Sequence, residues 1–191
     1  MPTKQELRAD FAARRAQMSS QDRVLAAAQL VTQLASNPLR LGERATVACY
    51  VPMDPEPGSM EFLDELRALG CPVIVPVVPA GAPQPLDWVR YESAASLTRG
   101  RFGLLEPNGT PLGVRAIDMA DVIFVPALAL ARTGIRLGRG AGYYDRTIGG
   151  SDGELVGIVY DHELVDDLPG DSYDVPMRWA LTPGRGFIRL G

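Results

Sequence analysis

Between Thr3 and Leu34 apolar residues recur every three or four positions, the spacing of one helical face. The first stripe is Leu7, Phe11 and Met18. Thr3, with Glu6 three positions on, makes the capping-box pattern in which a hydroxyl and a carboxylate satisfy first-turn amides. Lys4, Arg8 and Arg15 repeat the same spacing on the strip beside it. Ser19 or Ser20 opens a second helix whose stripe reads Val24, Ala28, Val31 and Leu34. Asn37-Pro38 ends it, because a residue before proline is pushed out of the α region.

From Ala45 the texture changes to short apolar runs of strand length, at 45–51, 73–78, 121–125, 155–159 and 179–182. Residues 86–91 alternate like a half-buried strand. Pro76 marks a strand end or edge, since proline cannot donate to a ladder. Ser59 caps a third helix with Met60, Leu63 and Leu66 inward and Gly70 closing it, while 52–57 and 79–85 are proline-broken loops. Short strands separated by helices predict an α/β fold, a mixed but mostly parallel sheet with helices on both faces. The expected organisation is one domain over 1–191, with the helices of 1–37 packed on the sheet.

A length of 191 residues suits one domain with its own core. A net charge of −4 argues against nucleic acid as a partner, so any anion site must be local. Cys49 and Cys71, the two cysteines, each adjoin an apolar run and read as reduced buried thiols, and no Cys/His cluster suggests zinc. The charged stretch from Lys4 to Arg15 excludes a signal-peptide core there. No run approaches the ~20 apolar residues of a membrane span. A cytoplasmic protein without a membrane partner is expected.

Residues 136–145, R-L-G-R-G-A-G-Y-Y-D, concentrate the chemistry. Gly138, Gly140 and Gly142 free three alternate positions of Cβ, so backbone amides can approach an anion, especially where a helix follows. Arg136 and Arg139 add forked donors matched to phosphate, and Asp145 falls in the next helical turn, where a carboxylate can hold Mg²⁺. The bland alternative is a glycine turn with solvated arginines. The spacing is neither a P-loop nor the dinucleotide fingerprint.

The segment 125–146 resembles the signature of the 5-formyltetrahydrofolate cyclo-ligase family. Lys4 to Arg8 (K-x-x-L-R) resembles the family's first nucleotide-contacting helix. Tyr50 to Glu56 with the following helix and strand matches a second block, and Leu168-Pro169 with Asp174 a third. The resemblance implies a fold like that of phosphosugar isomerases and CoA transferases. It also implies MgATP-driven conversion of 5-formyltetrahydrofolate to 5,10-methenyltetrahydrofolate by a monomer acting on two small molecules, ATP and a reduced folate.

By the same resemblance Lys4 and Arg8 contact ATP phosphates, and Arg136, Leu137, Gly138, Arg139, Gly140, Ala141, Gly142, Tyr143 and Tyr144 wrap the nucleotide. Lys4 and Arg139 are the catalytic candidates. Asp145 and Asp174 would serve Mg²⁺. Val51, Glu56, Arg139 and Tyr143 would meet the folate, although Glu56 also reads as a solvated turn residue. Phe102 stands where an aromatic could stack on the substrate or fill the core. Gly58, Ala131 and Arg178 depart from the family's usual acids and put pterin recognition in question. His162, the lone histidine, is expected at the surface. Two other readings stay open: a phosphosugar isomerase or CoA-transferase relative, and a non-catalytic nucleotide-binding relative.

Overall fold

The computed structural model describes residues 2–100, 103 and 105–191. Two helices, α1 (Lys4–Gln17) and α2 (Ser20–Gln33), lead into β1 (Val47–Cys49), α3 (Met60–Ala68), β2 (Val73–Val77) and β3 (Asp87–Arg90). A hairpin of β4 (Leu97–Arg99) and β5 (Leu105–Pro107) follows, then β6 (Val122–Pro126), β7 (Ala129–Ala131) and β8 (Arg136–Leu137). The chain closes with α4 (Tyr143–Ile148), β9 (Glu154–Ile158), β10 (Leu164–Val165), β11 (Trp179–Thr182) and β12 (Gly186–Arg189).

The main sheet runs β12-β11-β9-β6-β1-β2-β3. Its neighbours from β11 to β2 are parallel, and the edge strands β3 and β12 pair antiparallel. This is the expected α/β fold with a mostly parallel mixed sheet. Successive residues serve opposite faces, as strand geometry requires. Val47, Cys49, Val122 and Phe124 pack with Leu30, Leu34, Phe62, Leu63 and Leu66 beneath α2 and α3. Ala48, Ile123 and Val125 pack the other way, against Ala116, Ile117 and Ile148 of α4 and a 3₁₀ turn. Pro76 pairs with Trp88 of β3 alone, past the end of the β1 ladder and one residue before β2 ends, so its missing N–H interrupts no central pairing.

The α1 capping box is present, and Ser19 is the N-cap of α2. Of the α2 stripe, Leu34 is buried and Val31 packs on the core, but Val24 and Ala28 are corrected. Val24 is 70% exposed and Ala28 faces solvent, while Ala26 and Leu30 turn inward. Both stripes have helical spacing, and the one that meets α3 and β12 is buried. Arg15, read on a charged strip, is instead buried in an ion pair with Glu163. Gly58 has φ +109°, and a Cβ there would lie 3.0 Å from Pro52 Cγ, so any side chain would strain this turn. Ala131 is fully buried, Arg178 reaches Glu154 at 3.4 Å, and His162 is exposed. No helix among the described residues is long and apolar enough to cross a membrane.

Candidate active site

A cleft of about 410 Å³ opens at the carboxyl ends of the parallel strands. Tyr50 and Val51 follow β1, Val78 follows β2, and Pro126 and Ala127 end β6, all lining it. Strand order reverses between β1 and β6, the switch point at which open α/β sheets bind ligands.

Side chains from distant parts of the chain meet there. Lys4 Nζ donates to Asp171 Oδ2 at 2.6 Å and Asp174 Oδ2 at 2.7 Å. Burial opposes the Lys4 charge, but the two carboxylates outweigh it and raise its pKa above the ordinary value. The same hydrogen bond holds Asp171 below its usual range. One turn along α1, Arg8 Nε donates to Gly138 O at 2.9 Å and ties the helix to the glycine loop. Gly140 has φ +105°, a conformation that favours glycine, and the Arg8 guanidinium lies over it.

Arg136 lies beneath the loop, donating to Asp145 Oδ1 at 2.8 Å and Pro126 O at 3.2 Å. A Cβ on Gly138 would fall 2.6 Å from its NH1, so glycine lets the loop lie directly on this guanidinium. Across the cleft, Arg139 pairs with Glu56 at 3.0 Å, and Glu56 Oε2 accepts from Met53 N at 3.1 Å. Burial raises the Glu56 pKa, and Arg139 offsets only part of that. The Tyr144 hydroxyl is buried without a partner among the described residues, and burial pushes its pKa well up.

Four cations (Lys4, Arg8, Arg136 and Arg139) face five acids (Glu56, Glu106, Asp145, Asp171 and Asp174) around the cleft. Such a lining has no net positive charge, so a polyphosphate is best accommodated with a divalent cation of its own. Mg²⁺ is usually held by one or two carboxylates plus phosphate oxygens and water, and Asp145 and Asp174 are carboxylates of that type, each paired here with a cation, Arg136 and Lys4. Among the described residues no three His, Cys, Asp or Glu side chains cluster as a metal cage.

A sequence profile of the 5-formyltetrahydrofolate cyclo-ligase family matches residues 1–183. The chain belongs to this family. The 5-formyltetrahydrofolate cyclo-ligase of Mycolicibacterium smegmatis is 46% identical over 150 residues, 76% of this chain and 77% of that one. The 5,10-methenyltetrahydrofolate synthetase of Aquifex aeolicus superimposes with a TM-score of 0.80 at 30% identity, covering 98% of this chain and 92% of its own. The Mycoplasma pneumoniae 5,10-methenyltetrahydrofolate synthetase aligns at a TM-score of 0.74 over 95% of this chain and 99% of its own. At 19% identity it speaks for the fold alone.

The residues matched to the cyclo-ligase signature converge. Lys4, Arg8, Val51, Glu56, Arg136, Asp174 and all of 138–145 line the one cleft. Leu137 does not: it is buried beside Phe11, Leu128 and Leu168, and its carbonyl accepts from Leu128 N at 2.8 Å. Phe102 lies outside the described residues. Sequence reasoning missed Asp171, Tyr173 and Tyr50. Asp171 was findable, because it opens a D-S-Y-D turn in which Asp174 N donates to Asp171 O at 3.1 Å.

Proposed function

We propose that this chain is an ATP-dependent cyclo-ligase that converts 5-formyltetrahydrofolate to 5,10-methenyltetrahydrofolate, releasing ADP and phosphate. One observation carries the reading. The α1 cations, the glycine loop and Glu56 line one cleft, and Arg139 of the loop reaches Glu56 at 3.0 Å.

In this account the formyl oxygen attacks the γ-phosphorus, the bridging P–O bond breaks, and ADP leaves with that electron pair. N10 then attacks the formyl carbon and loses its proton as the C–O bond breaks to free phosphate. Phosphoryl transfer depends on positioning and charge stabilisation more than on proton shuttling. Lys4, Arg8 and the loop amides hold the phosphates, with Arg136 supporting the loop from below. Arg139 follows the charge from phosphate to the formyl oxygen. Glu56 accepts from the pterin N–H groups beside Val51 and Tyr143, and Val78 and Leu86 exclude water. Asp145 and Asp174 would hold Mg²⁺, which would supply charge neutralisation of the phosphates. The reading includes a cytoplasmic monomer with neither nucleic acid nor membrane as partner. It extends to a phosphosugar isomerase and CoA-transferase-like fold on the strength of the parallel strands, a likeness that says nothing of chemistry.

Coupled product measurement tests this. ADP and methenyltetrahydrofolate should form in a one-to-one ratio, and ADP release without the folate product would sink the assignment. Asp145→Asn should raise the Mg²⁺ concentration for half-maximal turnover about tenfold. An unchanged titration with a lower melting temperature would leave Asp145 as the counter-charge of Arg136 only.

Glu56→Gln should raise the KM for 5-formyltetrahydrofolate ten- to hundredfold, on the scale of about 1.5–3 kcal/mol for a charged hydrogen bond, with little change for ATP. The folded-state pKa of Glu56 lies above its ordinary 4.5, so the folded state binds this proton more tightly than the unfolded state. Stability from this group is therefore lost as pH rises from about 4.5 through the raised value. Glu56→Gln should remove that loss and melt no lower than the parent at pH 7. A lower melting temperature with equal losses for both substrates would mark Glu56 as structural.

A further inference from the structure

Arg15 and Glu163 meet where neither is needed to bind a ligand. The pair is 2% and 0% exposed, and it is bidentate, Nε to Oε1 at 2.6 Å and NH2 to Oε2 at 2.8 Å. Arg15 NH2 also donates to Ala127 O at 2.5 Å, beside the cleft wall. Glu163 Oε2 accepts from Tyr160 N at 2.9 Å, so the carboxylate is fixed by the turn after β9.

Arg15 shares a face of α1 with Lys4 and Arg8, eleven and seven residues away, or ~16 Å and ~10 Å along the axis. Leu7 and Phe11 fill the stretch between, on Leu128, Leu137 and Leu168. Apolar contact is non-directional and lets a helix slide or roll. A forked, bidentate pair fixes both motions. Buried ion pairs add little stability over apolar residues of similar volume, so stability alone does not account for this one.

We infer that the Arg15–Glu163 pair is a positioning device that sets α1, and with it Lys4 and Arg8, in register with the glycine loop. The inference rests on the reading of the α1 cations as nucleotide ligands. Neither Arg15 nor Glu163 lines the cleft, so both act through α1.

The test uses the double variant Arg15→Met with Glu163→Gln, which keeps volume and the acceptor for Tyr160 N but buries no charge. Its melting temperature should stay near the parent's. Its Kd for MgATP by titration calorimetry, and its KM for ATP, should rise about tenfold, while the KM for 5-formyltetrahydrofolate stays within twofold. Arg15→Lys with Glu163 kept, which retains the charge but not the fork, should restore only part of the ATP affinity. A folded double variant with unchanged MgATP affinity overturns the inference, as do equal losses for both substrates alongside a lowered melting temperature. A parent that binds MgATP yet forms no methenyltetrahydrofolate would sink the assigned reaction, and the calorimetric comparison would still decide the positioning role.

Discussion

Arg139→Ala should fold like the parent and turn over more slowly by a factor on the order of 10²–10³, the usual cost of removing one preorganised stabiliser of transition-state charge. The Arg139 side chain is 60% exposed and gives up little packing, while Glu56, 13% exposed, loses a counter-charge and answers by holding its proton more tightly. The catalytic weight of Arg139 comes from position. Gly138 and Gly140 flank it, and its 3.0 Å reach to Glu56 joins the proposed nucleotide side to the proposed folate side. Charge migrates between those sides as the formyl oxygen takes the phosphoryl group. A planar, permanently charged fork can follow it, and an ammonium cannot reproduce the two-pronged contact, so Arg139→Lys should restore only part of the rate. Turnover of Arg139→Ala within about twofold of the parent would move the catalytic centre away from this loop.

Lys4→Met should lower kcat/KM for ATP about a hundredfold, with the KM for 5-formyltetrahydrofolate changed less than threefold. The expected loss has two parts. One phosphate-facing cation disappears, and Asp171 and Asp174 keep charges that Lys4 now meets at 2.6 and 2.7 Å. Unscreened, those carboxylates repel an incoming polyphosphate, so the loss should shrink as ionic strength rises. Equal kcat/KM values for parent and Lys4→Met, at low and high salt alike, would confine Lys4 to bracing the D-S-Y-D turn.

Much of this cleft was legible in the sequence because its chemistry sits in contiguous or evenly spaced residues. The glycine loop declares itself in ten positions, and Lys4 and Arg8 declare themselves by one helical turn. The central strands were legible too, since fully buried parallel strands leave continuous apolar runs. What was hidden depends on pairing across the chain. Arg15 and Glu163 look like surface charges until folding brings them together across 148 positions. Val24 and Ala28 share helical spacing with Leu34, and only packing against α3 and β12 decides which stripe goes inside. Strands β8 and β10, two residues each, are too short for any period to show. Leu137 was drawn into the site by its place in the signature, but its side chain fills the core under α1.

The central claim is that this cleft joins ATP to a formylated reduced folate and closes a ring. Absorbance of methenyltetrahydrofolate, followed in the purified protein with 5-formyltetrahydrofolate and Mg²⁺, tests it most directly when ATP is withheld and then added. The account predicts no product before ATP and steady formation after it, abolished by withholding the folate. Formation at the same rate without ATP, or none with it, would contradict the account.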